Sequence, residues 1–162
     1  MTDQVSGGMD ASLLKGAVVV GDDGSADSAD AVLWAAEDAA RRETRLVVVR
    51  AWSITTAPRP EGVETGYIPS EDEFAEAVRK ALATDVEPVL RRSAVKPEVV
   101  LMPAHCSAET ALIDATAHAA VTVVGTRGRG LARWLGSVST ALVRSAHGPV
   151  VVVPRSSRGE SG

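Results

Sequence analysis

The sequence predicts an α/β fold: an open, doubly wound five-stranded parallel sheet with helices on both faces. Three observations predict it. Five short, β-branched apolar runs alternate with longer segments of helical periodicity, so strand and helix take turns along the chain. The runs are predominantly apolar, and continuously so at Ala17 to Val20, which suits strands buried on both faces. Two glycine-rich turns follow the first and fourth runs directly, where such a sheet places its ligand crevice.

The elements follow in order. Residues 1–14 are polar, glycine-containing and aperiodic, and predict a flexible leader. Ala17-Val18-Val19-Val20 predicts the first strand, ended by the turn signal Gly21-Asp22-Asp23-Gly24-Ser25. Ala29, Val32, Leu33, Ala36 and Ala40 then recur at helical spacing. Leu46 to Ala51 is the second strand. Three prolines and two glycines between residues 53 and 69 make a long loop. Ser70 and Glu73 form a capping box, which opens a helix with Phe74, Val78, Leu82 and Val86 on one face. Pro88 should kink or end that helix. Glu98 to Met102 is the third strand, 107–119 a helix with Leu112 and Ala115 inward, and Val121 to Val124 the fourth strand. A helix from Ser137 to Ala146 and a strand from Val150 to Val153 complete the fold. Residues 155–162 predict a flexible tail.

At 162 residues the chain suits one domain, residues 15–154, with a full core. Hydrophobic residues at 45% exclude disorder of the whole chain, and aromatics at 3% leave the core to Val, Ala and Leu. A net charge of −4 argues against a dedicated nucleic-acid binder, whose affinity rests on neutralising phosphates. The single cysteine, Cys106, cannot form an intrachain disulfide. No run approaches the ~20 apolar residues of a membrane-spanning helix, and no signal-peptide pattern is visible. The expectation is a cytoplasmic protein with neither a membrane nor a nucleic acid as partner.

Two segments carry candidate chemistry. In Gly21-Asp22-Asp23-Gly24-Ser25, glycines let the backbone approach a ligand, and a carboxylate at a strand's end can accept from an amine or a ribose hydroxyl. The same residues also suit a plain helix start, with Ser25 as cap and the aspartates complementing the dipole. The second segment, Gly125 to Ser137, is longer than the usual connection of about 2–6 residues. Its glycines can expose N–H groups to an anion, Ser137 opens the next helix, and Arg127, Arg129 and Arg133 add positive charge. Its plain reading is a solvated basic loop packed down by Trp134 and Leu135. The sequence contains no G-x-x-x-x-G-K-[ST] and no H-E-x-x-H. His105, His118 and His147 are scattered, and Cys106 reads as a small core or loop residue rather than a nucleophile.

Val20-Gly21-Asp22-Asp23-Gly24-Ser25, together with Gly125, Gly128 and Gly136-Ser137-Val138 and the ending Gly148-Pro149-Val150-Val151-Val152-Val153, closely resembles the universal stress protein family over about residues 15–154. The resemblance implies strand order 3-2-1-4-5, a homodimer in many members and ATP binding in one branch. In that branch the positions corresponding to Asp23 and Ala51 meet the adenosine end and the adenine. Those corresponding to Gly125, Gly128, Gly136, Ser137 and Val138 hold ribose and phosphates. The sequence departs from the pattern in two places. Seven residues, 129 to 135, stand between Gly128 and Gly136 where the family has nine. The two missing residues remove up to ~7 Å of reach, and Arg127 or Arg129 can replace lost phosphate contacts. His105 stands where the family often has glycine.

The resemblance implies an adenine-nucleotide-binding stress-response module rather than an enzyme, with ATP as ligand and Mg²⁺ a possible companion. Asp22 is a weak candidate ligand for that ion. A dimer acting through protein contacts without nucleotide is the alternative, supported by the short loop. A slow ATPase or phosphotransferase is the second alternative. As an uncharged edge strand, Val150 to Val153 is the expected dimer contact.

Overall fold

A computed structural model of the chain describes residues 4–126 and 135–155. Its elements in chain order are β1 (Gln4–Val5), β2 (Met9–Asp10), α1 (Ala11–Leu14), β3 (Val18–Gly21), α2 (Ala26–Arg41), β4 (Leu46–Ala51) and α3 (Glu71–Leu90), followed by β5 (Val99–Ala104), α4 (Ala108–Thr116), β6 (Val121–Gly125), α5 (Ser137–Ser145) and β7 (Val150–Val153). The main sheet has the order β5-β4-β3-β6-β7, with every pair parallel. This is the expected 3-2-1-4-5 order, its numbering displaced by the two short strands that precede it.

Because strand side chains alternate between faces, the valine runs divide into two core layers. Val18 and Val20 of β3, Leu46 and Val48 of β4, and Val121 and Val123 of β6 pack under α2 and α3. Val19, Val47, Val49 and Val124 face the other way, under α4 and α5. Each fully buried valine or leucine contributes about 1.5–3 kcal/mol over leaving it exposed, so continuous apolar runs are what a sheet covered on both faces requires.

The N-terminal segment differs from the expected leader. From residue 4 onward it forms a small antiparallel hairpin, in which Val5 pairs with Met9, and then the short helix α1. Met9 and Leu14 are fully buried in the layer that holds Leu112 and Val49. The physical reason is burial: α4 and α5 leave part of their face of the sheet uncovered, and two large apolar side chains fill it. Gly7, read from sequence as a mark of flexibility, forms the hairpin turn at φ +70° and abuts His105, whose N–H donates to the Gly7 carbonyl at 3.1 Å.

The helix faces follow the predicted periodicity with adjustments. In α2 the buried stripe is Ala31, Val32, Ala35, Ala36 and Ala39, while Ala29, Leu33 and Ala40 are half-buried. A helix this rich in alanine offers two nearly equivalent stripes, and close approach to the sheet selects the one with more small residues. In α3, Val78, Leu82 and Val86 are buried, Phe74 is half-buried, and the capping box forms. Pro88 falls in the last turn, and the helix ends two residues beyond it. Among the described residues no helix is long and apolar enough to cross a membrane.

Candidate functional site

Along the carboxyl edge of the sheet, β3 is where the strand order reverses, with β4 on one side and β6 on the other. The chain leaves β3 at Gly21 and turns through Asp22, Asp23 and Gly24 to Ser25, which caps α2 by accepting from the Ser28 N–H at 3.2 Å. The two aspartates of the turn have different environments. Asp23 is exposed at the sheet's edge and accepts from the Ser25 N–H at 2.9 Å. Asp22 is buried, and its Oδ1 accepts from the Gly24 N–H at 2.8 Å and from Ser28 Oγ at 2.7 Å.

The other Asp22 oxygen meets a residue that the sequence reading passed over. Arg50, near the end of β4, donates from Nη2 to Asp22 Oδ2 at 3.0 Å and from Nε to the Asp22 carbonyl at 3.3 Å. Its Nη1 pairs with Asp85 of α3 at 2.9 Å. Both Asp22 oxygens are thus engaged within the fold, and a divalent cation at this carboxylate would have to compete with a guanidinium 3.0 Å away. Among the described residues no group of three or more His, Cys, Asp or Glu side chains could hold a metal. The signal for Arg50 was present in principle: a charged residue inside an otherwise apolar strand needs a buried partner.

Ala51 ends β4, two residues beyond Val49, the partner of Gly21, so it stands beyond the end of β3, beside which the Asp22-to-Ser25 turn begins. Next to it, Trp52 is buried and stacks on His105 with ring centroids 4.0 Å apart and planes 10° from parallel. The Nδ1 of His105 lies 3.1 Å from Glu71 Oε1. His105, a departure from the family pattern, thus caps the apolar face of Trp52 at the sheet's edge.

On the other side of β3, Gly125 ends β6 against the first turn of α2. A Cβ there would sit 2.9 Å from the Asp27 carbonyl oxygen, so only glycine permits this approach without displacement. The chain reappears at Leu135, and Gly136 occupies the cap position of α5 with no side-chain cap hydrogen bond. The Gly136 N–H donates to the Thr126 carbonyl at 2.6 Å. Ser139, also unforeseen, donates to that carbonyl and to the Gly136 carbonyl, each at 3.1 Å. Ser137 and Val138 therefore stand in the first turn of a helix whose cap residue, a glycine, supplies no side-chain hydrogen bond. Arg127, Gly128 and Arg129 lie outside the described residues. Asp23, Ala51, Gly125, Gly136, Ser137 and Val138 lie at the carboxyl ends of three adjacent strands or at the start of the helix that follows β6.

The family model described as "Universal stress protein family" matches residues 16–154. The chain belongs to the universal stress protein family. Universal stress protein Rv2005c of Mycobacterium tuberculosis is 39% identical over 142 residues, covering 84% of this chain and 47% of that protein. Universal stress protein Rv1996 of the same organism is 35% identical over 159 residues, covering 87% of this chain and 49% of that protein. The chain thus spans about half the length of these curated relatives. Among solved structures, a universal stress protein in complex with cAMP matches with a TM-score of 0.59 and 25% identity, over 88% of this chain and 98% of that one. A universal stress protein family structure from Burkholderia pseudomallei matches with a TM-score of 0.56 and 26% identity, over 87% and 97%.

Proposed function

We propose that this universal stress protein domain is a regulatory module that binds an adenine nucleotide, ATP or a close relative, across the carboxyl ends of β4, β3 and β6, without rapid turnover. The observation that carries the reading is the start of α5. It follows the strand beside the switch point and its cap residue Gly136 supplies no side-chain hydrogen bond, so its first N–H groups and the helix dipole suit an anion. The cAMP complex of the 25% identical relative supports an adenine nucleotide as that anion's carrier.

The residue roles are those the family resemblance implies, supported by Asp23, Ala51, Gly125, Gly136, Ser137 and Val138 lying at the carboxyl edge of the sheet or at the start of α5. Asp23 accepts from the adenosine end, and Ala51 offers a small apolar surface to the base. Gly125 and Gly136 allow close backbone approach, and the N–H groups of Ser137 and Val138 receive phosphate; Gly128, Arg127 and Arg129, outside the described residues, are assigned to the phosphates by sequence alone, Gly128 through the family resemblance and the arginines through their charge. The nucleotide supplies the phosphate charge and the base, and the chain's residues bind and orient it. With Asp22 held by Arg50, a Mg²⁺ accompanying the phosphates would take its ligands from the nucleotide and water. The site of action is the cytoplasm.

One observation favours the alternative of a nucleotide-free dimer. The Gly136 N–H, one of the expected phosphate donors, turns inward onto Thr126. The two readings separate in one experiment, with mass analysis of small molecules released from the heat-denatured protein and calorimetry with millimolar ATP, ADP, AMP and cyclic AMP. Binding heat and a carried nucleotide are expected, and Gly136→Val should abolish both. Absence of heat and of thermal shift with all four would establish the nucleotide-free reading instead.

A further inference from the structure

We propose that Arg50 is a positioning residue that holds the Asp22-to-Ser25 turn, and with it Asp23, in its ligand-facing geometry; in its bearing on nucleotide affinity the inference rests on the binding reading above. The guanidinium uses three donors on two elements around the turn. Nε reaches the Asp22 carbonyl, Nη2 the Asp22 carboxylate, and Nη1 Asp85 of α3. The Asp22 carboxylate carries the constraint forward, because its other oxygen accepts from the Gly24 N–H and from Ser28 Oγ of α2. Asp23 stands between two residues fixed in this way.

A small cleft of about 100 Å³ lies between the turn, α2 and α3, lined by Asp22, Gly24, Ser25, Asp85 and the apolar Val32 and Val89. The directional hydrogen bonds of the planar guanidinium span the turn beside it and fix the orientation of the Asp22 carboxylate. Arg50 is largely buried, with 15% of its side chain exposed, and Asp22 retains 4%, so water competes little for these bonds. A lysine at position 50 keeps the charge beside Asp22 and Asp85 but cannot reach the carbonyl, the carboxylate and Asp85 together from one fixed plane.

The test is Arg50→Lys in the full chain, with two readouts. The first is amide hydrogen exchange. The Gly24 and Ser25 N–H groups should exchange at least tenfold faster in the variant, with the β3 and β4 amides unchanged. The second is calorimetric titration with ATP and with cyclic AMP, in wild type, Arg50→Lys, Asp23→Ala and the double variant. Arg50→Lys should lower affinity about tenfold alone and have little further effect once Asp23 is gone, because it acts through Asp23; a merely structural effect would add. Unchanged exchange at Gly24 and Ser25, or unchanged or additive affinity losses, overturns the proposal. If wild type binds neither nucleotide while the variant's exchange rises, the turn-holding role of Arg50 stands and the nucleotide reading falls. Should Arg50→Lys not fold, Asp85→Asn, which releases only the outer arm, should raise the same two exchange rates, and the absence of any rise overturns the proposal.

Discussion

Two adjacent aspartates with opposite surroundings carry the chemistry of the first turn. Buried beneath a guanidinium and a serine hydroxyl, Asp22 is part of the scaffold, whereas Asp23 stands at the exposed edge. Substituting them should separate binding from folding. Asp23→Ala should weaken nucleotide binding about ten- to hundredfold, the range of a charged hydrogen bond, with the melting temperature nearly kept. Asp22→Ala should act first on stability, because it removes one of the two carboxylate partners of the largely buried Arg50 and the acceptor of the Gly24 N–H and Ser28 hydroxyl, and thermal melts alongside calorimetry distinguish the two. Cys106 gives a second residue-scale expectation. Burial, and then the negative charge of Asp114, push its thiol above the ordinary value. The folded state therefore holds the proton longer than the unfolded chain does. The thiol's contribution to stability is whole below the unfolded value of about 8.5 and is lost as pH rises through the folded value. Iodoacetamide should accordingly modify native Cys106 more slowly than the unfolded chain between pH 8 and 9, approximately. Equal rates would show that the thiol is not shielded.

At the scale of elements, the hairpin and α1 are the clearest departure from expectation. They lie ahead of the region matched by the family model, yet Met9 and Leu14 are wholly buried in the core layer under α4 and α5. The segment is held at its turn by the Gly7 carbonyl, by a hydrogen bond from Ser6 to Asp114, and by the Gly16 N–H donating to the His118 carbonyl at 3.0 Å. Leu14→Ala should therefore cost about 2–5 kcal/mol, the range for a fully buried leucine, measurable by urea denaturation. A loss under about 0.5 kcal/mol, the range of ordinary surface substitutions, would mean that the segment does not share the core.

At the scale of the whole molecule, β7 is one of the two edge strands of the main sheet. Among the described residues it pairs only with β6, and Val150 to Val153 are each half-buried. Four uncharged β-branched residues on an open edge form a template for a second strand, and antiparallel pairing with a two-fold mate closes it. Sedimentation at micromolar concentration should give a dimer, and Val152→Lys should shift it to monomer by placing a charge in the contact. A monomer from the unsubstituted protein would refute this assembly.

The repeated apolar runs determined by themselves that the chain would form a parallel sheet covered on both faces, because strands built on up to four consecutive valines or leucines are apolar on both faces and call for a layer of helix on each. The glycine-rich turns and their positions after the first and fourth main strands likewise located the candidate site, since loops at the carboxyl edge beside the switch point are where such sheets meet ligands. Other properties depended on residues distant in sequence. Arg50 acquires a role only because Asp22, 28 residues away, and Asp85 of α3 are brought against it. Met9 and Leu14 become core only because one face of the sheet is left partly open, and His105 becomes the cover of Trp52 only when β4 and β5 end side by side. Periodicity records which face of an element is apolar, but the partner of a buried charge and the gap filled by a short segment are set by contacts across the fold, which exist only once the strands have paired.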